Sequence, residues 1–329
     1  MSEVVDVSII IVNYKTPELI LTCVGSVKKF TQSNFEIIIV NNASKANDEE
    51  LIKTKFPEVI WHETGTNAGF GRANNAGMKL ANGRYILLLN SDTEIVDNSI
   101  DKCIQHLDAR PDAVAGGALH LYTDLTLRPL HHSFTLRRTF WILPPKAFFN
   151  NLLEKLIPET QYNDPDQVDY ISGAFLMMRK EAFLKTKGFD EEFFLYGEDV
   201  ELGYRLAKLG KLLVFKDCKL IHDEWGSKPE RYENAEKYTY FNRFDRQIQL
   251  SNIVWLRKQF GVLQFLILML HYWLWIPTFY LIKIATNVMK LKNPFSNFEN
   301  QNKFALTIFG FSKYFWRILF KIPTFYKVD

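Results

Sequence analysis

DVSIIIVNY, residues 6–14, is a nearly unbroken run of β-branched residues close to the start of the chain. Such a run, without alternation of polar and apolar residues, predicts a strand that is buried on both faces. FEIIIVNN (35–42) and RYILLLNSD (84–92) have the same character. Between the first two runs, Thr16-Pro17 begins a helical pattern of apolar residues. This alternation predicts an α/β fold, with a mostly parallel sheet and helices on its faces.

Each of the three predicted strands ends in polar residues. Sheets of this type bind ligands outside the carboxyl ends of their strands. We therefore expect a binding site along one rim of the sheet. The residues at this rim are Asn13 and Tyr14, Asn41 and Asn42, and Asn90, Ser91 and Asp92.

Length and composition indicate a globular protein with an appendage. The 329 residues are 47% hydrophobic and 23% charged, which is enough to bury a full core. We expect one large domain over residues 1–250 and an appendage over residues 251–329. The three cysteines lie far apart without CxxC spacing, so neither a disulfide framework nor a cysteine zinc site is expected. The N-terminus lacks a cationic region before its apolar run, which predicts a first strand rather than an export signal.

Residues 251–329 differ in charge from the rest of the chain. They contain ten Lys or Arg and two acids, a net charge of +8, whereas the first 250 residues carry −5. A basic tail on an acidic body is typical of proteins with an anionic partner. The basic residues alternate with Leu, Ile, Phe and Trp, which is unusual for a surface that follows nucleic-acid phosphates. A membrane surface is therefore favoured over nucleic acid.

Gln259–Ile282 is the most apolar part of this tail. It runs for 24 residues without a formal charge and contains four Trp or Tyr residues, so it is long enough to span a bilayer. Pro277 and His271 interrupt it, and basic residues flank both ends, so the positive-inside rule selects no side. We interpret it as a helical, in-plane or re-entrant element whose lysines attract anionic lipid. A buried helical core with a basic rim is the alternative.

Two features near the third strand have more than one interpretation. GTNAGFGRANNAG (65–77) is rich in Gly and Asn and leads into a helix, whose free N–H groups could bind phosphate. It matches neither GxxxxGK[ST] nor GxGxxG, and an ordinary loop before a helix explains it equally well. Asp92 could hold a divalent cation bound with a diphosphate, or it could cap a helix that starts near Val96.

GEDVELGYRLAKLGK, residues 197–211, predicts a helix that begins near Glu198. Acids in a first turn complement the helix dipole, and Glu201 can pair with Arg205 one turn later. For Glu201 this structural explanation suffices. Glu198 and Asp199 follow the aromatic run FFLY, which could form the wall of a sugar site. The apolar stripe of the helix is Leu202, Leu206 and Leu209.

Three stretches carry a family resemblance. They are VSIIIVNYKTPELILTCVGSV, NAGFGRANNAGMKLANGRYILLLNSDTEI and ISGAFLMMRKEAFLKTKGFDEEFFLYGEDVELGYRLAKLGKLLVF. In this order they resemble the rhamnosyltransferase-like branch of glycosyltransferase family 2, over residues 6–228. The resemblance implies the Rossmann-like GT-A fold and an inverting reaction.

The resemblance also assigns roles to residues. Asp199, with Glu198, would be the catalytic base, and Asp92, with His222, would bind Mg²⁺ or Mn²⁺. Asn90-Ser91-Asp92 corresponds to the family's DxD motif, of which only the last acid is present. The residues implied in nucleotide-sugar binding are Asn13, Tyr14, Asn41, Asn42, Asn67, Gly69, Arg72, Ser91, Gly173 and Ala174.

The function implied is transfer of a sugar from a nucleotide donor to a lipid-linked or polysaccharide acceptor. dTDP-rhamnose or a UDP-hexose would be the donor, and the enzyme would work at the cytoplasmic face of the plasma membrane as a peripheral or monotopic protein. Family members usually carry Asp near the position of Asn41, and the first DxD acid is absent. A non-catalytic scaffold that binds nucleotide sugars is therefore the alternative. A nucleotidyltransferase is disfavoured, because NYKTPE lacks a strongly basic Gly-rich loop.

Residues 119–169 form the least regular part of the sequence. Long elements are broken there by prolines, among them Pro129, Pro144, Pro145 and Pro158. A lid over the acceptor could be formed by His131, His132, Arg137, Arg138 and Trp141. A solvated loop with aromatic anchors is the alternative.

Overall fold

The computed structural model describes residues 4–44, 47–128, 155, 160–222 and 243–328. These residues divide into two compact units. The first unit contains residues 4–44, 47–128, 161–194 and 198–222, and the second contains residues 155, 160, 195–197 and 243–328. The domain boundary predicted at residue 250 falls inside a helix of the second unit.

The first unit is built around one sheet of eight strands. The strands are β1 (Val7–Asn13), β2 (Phe35–Asn41), β3 (Ile60–Glu63), β4 (Tyr85–Leu89), β5 (Thr93–Ile95), β6 (Ala113–Leu121), β7 (Phe175–Arg179) and β8 (Lys211–His222). Their order across the sheet is β3-β2-β1-β4-β7-β6-β8-β5. Only β7 and β5 run against their neighbours. The predicted α/β fold with a mostly parallel sheet is confirmed, and all three predicted strands are present.

Helices cover both faces of this sheet. They are α1 (Pro17–Phe30), α2 (Asp48–Lys55), α3 (Phe70–Met78), α4 (Ser99–Ala109), α5 (Lys180–Thr186) and α6 (Glu198–Leu206). One core cluster joins α1 and α4 to residues such as Ile9 and Ile39, and the other joins α3, α5 and α6 to Ile10 and Val40. Successive side chains of a strand point to opposite faces, so the continuous apolar runs fill both cores at once.

One helix start and one helix end differ from the sequence predictions. α4 begins at Ser99 and has Asn98 in the capping position, so Asp92 caps no helix. α6 begins at Glu198 as predicted but ends at Leu206, and Leu209 is 40% exposed beyond its end.

The second unit contains four helices among its described residues. They are α7 (Arg243–Phe260), α8 (Val262–Met289), α9 (Glu299–Ser312) and α10 (Phe315–Leu319). α8 is continuous through Pro277, and its length and composition are sufficient to cross a membrane. The Trp273 indole donates to the Ser312 hydroxyl at 3.0 Å, and the Tyr280 hydroxyl donates to Asn302 at 2.6 Å. These bonds hold α9 along α8.

The close approach of α3 to the sheet depends on Gly77. A Cβ at this position would lie 2.5 Å from Ile10 Cγ2 and 2.8 Å from Val40 Cγ2. We predict that Gly77→Ala lowers the free energy of unfolding by about 1–3 kcal/mol, because the overpacked core must shift. Chemical denaturation of the full-length protein measures this change.

Gly25→Ala is the matched control within the same unit. Gly25 lies inside α1, and the nearest atom to an added Cβ is Phe56 Cζ at 4.0 Å. Here Ala should raise the free energy of unfolding by about 0.5–1 kcal/mol, because glycine is unfavourable inside a helix. Equal effects of the two substitutions would contradict the close packing of α3.

Candidate nucleotide-sugar site

A network of amides and carboxylates joins the ends of β1, β2 and β3. The Asn13 amide donates to Asn41 Oδ1 at 3.0 Å and to Asp48 Oδ2 at 2.9 Å. The Asn41 amide in turn lies 3.0 Å from both carboxylate oxygens of Glu63, its neighbour in register on β3. Asn13, Asn41 and Asp48 are buried. Each buried carboxylate or amide oxygen therefore receives a donor, which is what burial of polar groups requires.

Asp48 and Glu63 were missed in the sequence. The resemblance drew attention to Asn41 as a position where an acid is usual, whereas the structure places Glu63 against the Asn41 amide and Asp48 against the Asn13 amide. A carboxylate at residue 41 would face Glu63 without a donor to bridge the two. The neutral Asn41 therefore fits its surroundings. Neither Asp48 nor Glu63 belongs to a motif, so Glu63 could have been found only from the strand register and Asp48 only from the position of α2.

The Gly-rich loop is held to the end of β2 by a second amide network. The Asn42 amide donates to Asn67 Oδ1 at 3.1 Å, and Asn42 Oδ1 accepts from the N–H of Ala68 at 2.8 Å. Asn67 Oδ1 also accepts from the N–H of Gly69 at 3.1 Å. These bonds hold the loop in place immediately before α3. The free N–H groups in the first turn of α3 are therefore held in position as well.

Any residue other than glycine at position 69 would strain the backbone. Its φ is 84°, and a Cβ would lie 2.5 Å from the Phe194 carbonyl oxygen. The same carbonyl accepts from the N–H of Phe70 at 3.0 Å. In α3, Arg72 Nε donates to the Glu191 carbonyl at 2.7 Å. Ala68–Arg72 is thereby joined to the segment that precedes α6.

Asp92 and His222 come together at the edge of the sheet. His222 Nε2 lies 3.4 Å from Asp92 Oδ1, although 130 residues separate them in sequence. The antiparallel pairing of β5 with β8, in which Thr93 faces His222, brings them together. Both are largely buried, with side-chain exposures of 11% for Asp92 and 8% for His222. The two predicted metal ligands therefore share one site.

His120 supports His222 from behind, and the sequence did not reveal it. The two Nδ1 atoms lie 3.2 Å apart, and His120 is 1% exposed at the end of β6. If His222 donates through Nδ1, its Nε2 keeps a lone pair for a metal, as is usual for histidine ligands. The donors therefore fit a divalent cation that accepts oxygen and nitrogen, such as Mn²⁺. Residues 119–121 belong to β6 rather than to an irregular segment.

The predicted lid is only partly described. His131, His132 and Trp141 lie outside the described residues. Arg128, at the end of a described range, donates to the His222 carbonyl at 3.3 Å.

The loop before β7 links the strand-end residues to the start of α6. The Ala174 carbonyl accepts from the N–H of Asn90 at 3.2 Å, directly before Ser91 and Asp92. One residue earlier, the N–H of Gly173 donates to the carboxylate of Asp199. The Ser91 hydroxyl lies 3.0 Å from that of Thr16, near the end of β1. Gly173 and Ala174 thus contact both acid-bearing segments, which the sequence could place together only through the family resemblance.

Glu198 and Asp199 are adjacent acids in unequal surroundings, because Glu198 is buried and Asp199 is only partly buried. Asp199 accepts from the N–H groups of Val200 and Gly173. Glu198 Oε2 is buried and has no hydrogen-bond partner among the described residues. Burial and the nearby Asp199 charge raise the pKa of Glu198 to about 8. When the pair carries one proton, Glu198 therefore holds it and Asp199 holds the charge.

The sequence analysis explained acids in this first turn by the helix dipole, which favours a charged carboxylate, and the structure adds a cost of burial at Asp199. Burial raises the pKa of Asp199, while the N–H groups of Val200 and Gly173 act in the opposite direction. The dipole of α6 alone therefore does not determine the pKa of the Asp199 carboxylate.

More than half of the chain, residues 8–186, matches the family model of glycosyl transferase family 2. The chain belongs to glycosyl transferase family 2. The predicted family is confirmed, and the site described above is that of a family 2 protein.

Curated relatives of this family 2 protein include enzymes of cell-surface glycans. N-acetylglucosaminyl-diphospho-decaprenol L-rhamnosyltransferase of Mycobacterium tuberculosis is 27% identical over 248 residues, which cover 68% of this chain and 78% of the relative. O-antigen biosynthesis protein RfbC of Myxococcus xanthus is 28% identical over 239 residues, again 68% of this chain. This chain spans only 18% of the length of RfbC. The names agree with the rhamnosyltransferase-like branch of the family.

The fold is shared with solved glycosyltransferases. Mannosyltransferase PcManGT from Pyrobaculum calidifontis, in complex with GDP-Man and Mn²⁺, matches with a TM-score of 0.55 at 14% identity. The match covers 97% of this chain and 83% of PcManGT. GalNAc-T7 with UDP, GalNAc and Mn²⁺ matches 68% of this chain and 44% of its own, with a TM-score of 0.51 and 18% identity. The predicted GT-A type fold is confirmed.

The protonated state of Glu198 gives a stability prediction. Because its pKa is about 8 when folded and ordinarily 4.5, the folded chain holds an extra proton between these pH values. Glu198 therefore makes the free energy of unfolding fall as pH rises through this window, with a slope of up to about 1.4 kcal/mol per pH unit. Glu198→Gln should remove this part of the pH dependence and stabilise the protein above pH 8, as measured by denaturation at several pH values.

Glu181→Gln serves as the control. Glu181 is an exposed acid in the first turn of α5, and its replacement leaves Glu198 in place. The same pH dependence should therefore remain. A Glu198→Gln variant with an unchanged pH profile would show that the buried carboxyl is not protonated in the folded chain.

Proposed function

We propose that this chain is an inverting, metal-dependent glycosyltransferase that moves a sugar from a nucleotide donor to a hydroxyl group of a lipid-linked or polysaccharide acceptor. The observation that carries the proposal is the loop of Gly173 and Ala174, hydrogen-bonded both to Asp199 and to the residue that begins Asn90-Ser91-Asp92. One short loop therefore holds both the proposed base and the segment of the proposed metal ligand. Inverting transfer needs both groups, because a hydroxyl attacks one face of the sugar while a diphosphate leaves from the other.

Rhamnose from dTDP-rhamnose is the first candidate donor, and a hexose from a UDP-sugar is the second. Two of the relatives are named for rhamnosyl transfer or for O-antigen biosynthesis, which supports this order. Nucleotide binding is assigned to the ends of β1 and β2 and to the Gly-rich loop. The residues are Asn13, Tyr14, Asn41, Asn42, Asn67, Gly69, Arg72 and Ser91.

Asp199 is assigned as the base. Its carboxylate accepts the proton of the acceptor hydroxyl while that oxygen attacks the anomeric carbon, opposite the nucleoside diphosphate. Glu198, protonated beside it, limits the negative charge of the pair to one. Asp92 and His222 would hold Mg²⁺ or Mn²⁺, which supplies electrostatic stabilisation of the departing diphosphate. His120 fixes the ring of His222 through the contact of the two Nδ1 atoms.

The second unit is proposed to hold the enzyme on a membrane. Its helices bury residues such as Phe265 and Ile308, yet they leave many large apolar side chains exposed. Leu266, Leu270 and Leu274 of α8 are among these, at 39%, 54% and 58% exposure. Exposed apolar residues next to lysines suit the boundary of an anionic bilayer. An in-plane position at the cytoplasmic face, where a lipid-linked acceptor is reached, agrees with these features.

Replacement of the base tests the enzymatic proposal. Asp199→Asn should lower the rate of sugar transfer about 10²- to 10⁴-fold, because no other group takes the proton. Binding of the nucleotide should remain, since Asp199 is assigned to the acceptor. Transfer is measured by mass-spectrometric screening of nucleotide sugars with Mn²⁺ and a lipid-linked acceptor, and nucleotide binding is measured by calorimetry with dTDP and UDP. Glu181→Gln is the control and should keep both properties. An unchanged transfer rate in Asp199→Asn would show that Asp199 is not the base, whereas nucleotide binding without any transfer by the wild type would favour the scaffold.

Membrane binding is tested on vesicles with the full-length chain. Replacement of Leu266, Leu270 and Leu274 by Ser should weaken sedimentation with phosphatidylglycerol vesicles, because less apolar surface enters the bilayer. Replacement of Lys283, Lys290 and Lys292 by Gln should cost about 1 kcal/mol of binding per lysine on these vesicles, and much less on neutral phosphatidylcholine.

The control replaces Leu51 and Leu184 by Ser. Both are exposed leucines, at 44% and 62%, but they belong to the first unit. Vesicle binding should not change in this variant. If the α8 variant also sediments like the wild type, the assignment of the second unit to the membrane is wrong.

A further inference from the structure

A second group of metal-binding side chains lies between α4 and β8, apart from the site of Asp92. His106 Nε2, the Asp217 carboxylate and Cys218 Sγ all lie within 4.8 Å of one another. His106 Nε2 is 2.9 Å from each carboxylate oxygen of Asp217. The thiol of Cys103, one turn before His106 on α4, lies beside the thiol of Cys218. Three donors thus lie together, and the Cys103 thiol adjoins them next to Cys218.

An irregularity in β8 makes this arrangement possible. Phe215 and Lys219 of β8 pair with consecutive residues of β6, so residues 216–218 form a three-residue bulge. In a regular strand, adjacent side chains point to opposite faces of the sheet. Asp217 and Cys218 are adjacent, yet both approach the same histidine of α4. Bulges turn side chains in this way, and they are common beside functional sites.

The surrounding contacts hold the bulge against α4. The His106 ring stacks on Phe215, with centroids 4.5 Å apart and planes at 24°. The Lys102 ammonium donates to the Asp217 carbonyl at 3.1 Å. The Ser99 hydroxyl accepts from the N–H of Lys219 at 2.7 Å and lies 2.9 Å from its carbonyl oxygen. The donors are therefore already positioned by packing.

Access to the group is from one side. The side chains of His106 and Asp217 are 40% and 54% exposed, whereas both cysteines are fully buried. An ion can therefore meet the nitrogen and oxygen donors at the surface and reach the thiols behind them. A hydrogen-bonded His–Asp pair is common on protein surfaces and does not by itself indicate a metal site. Here two buried thiols lie behind the pair, and this combination of donors indicates a bound ion.

We propose that Cys103, His106, Asp217 and Cys218 form a structural zinc site. Two thiolates, one imidazole nitrogen and one carboxylate oxygen are ligands that Zn²⁺ accepts in tetrahedral geometry. His106 binds as the neutral imidazole, with its proton on Nδ1. The two thiols each lose a proton to solvent, so binding of one Zn²⁺ releases two protons. No change of oxidation state is involved.

The ion would join α4 to the strand that carries His222. Cys218 lies four residues before His222 on β8, a distance of about 13 Å along an extended strand. The zinc site therefore touches neither donor nor acceptor. Its effect is to stabilise the bulge and with it the position of the end of β8.

Cobalt titration of the reduced, chelator-treated full-length chain tests the proposal. Co²⁺ should bind with a thiolate-to-metal charge-transfer absorption, which an equivalent of Zn²⁺ abolishes. This absorption reports on the proposed site alone, because the ligands assigned to the other site, Asp92 and His222, contain no sulfur. His106→Ala should weaken Co²⁺ binding at least about tenfold, and Cys218→Ser should lose the absorption.

Two variants serve as matched controls. Cys23→Ser removes the third cysteine, and His62→Gln removes a histidine from β3, so both should keep the absorption and the affinity. Zn²⁺ should also raise the Tm of the wild type but not that of His106→Ala, whose exposed side chain can be removed without a core defect. Cobalt binding without thiolate absorption, or absorption that persists in Cys218→Ser, would overturn the proposal, as would an equal rise of Tm in His106→Ala.

Discussion

The antiparallel pairing of β7 with β4 is the constraint on which the site depends. Phe175 at the start of β7 faces Leu89 at the end of β4, so the residues before one strand meet the residues after the other. A parallel strand in this position would bring its carboxyl end to the rim instead. Reversal of one strand therefore places Gly173 and Ala174 beside Asn90, where short hydrogen bonds join them. Asp199 reaches the same loop from the start of α6.

The fold places the neighbouring acids Asp199 and Glu198 in surroundings that favour opposite charge states. Asp199 is partly buried and receives two backbone N–H groups, which favour its negative charge. Glu198 is more deeply buried and its Oε2 receives no donor in the described part of the chain, so its neutral form is favoured. Adjacent residues at a helix start project in different directions, and this explains how one residue reaches the N–H of Gly173 while its neighbour does not. The chain thereby keeps a single charge in a dry region.

The centre of the sheet could be predicted from local sequence pattern, because β1, β2 and β4 are continuous apolar runs that are best explained as strands. β6 was not predicted, because AVAGGALHL contains small residues and Gly, which give no strand signal. His120 was therefore missed with it. The pairing of Glu63 with the Asn41 amide depends on strand register, and the pairing of Asp48 with the Asn13 amide depends on where α2 packs. Cys103 and Cys218 meet although they are 115 residues apart in sequence. Such contacts are properties of the folded chain and leave no short-range pattern.

The bulge in β8 also bears on the site at the rim. With regular pairing beyond Phe215, His222 would lie three residues further along β6, about 10 Å away from its present level. Residues 216–218 take up this length, so that Leu220 pairs with His120 and His222 with Thr93. At this level the His222 ring reaches both Asp92 and His120. The bulge, which resembles a local defect of the strand, therefore sets the distance between Asp92 and His222, the two proposed metal ligands from distant parts of the sequence. Whatever stabilises the bulge stabilises that distance as well.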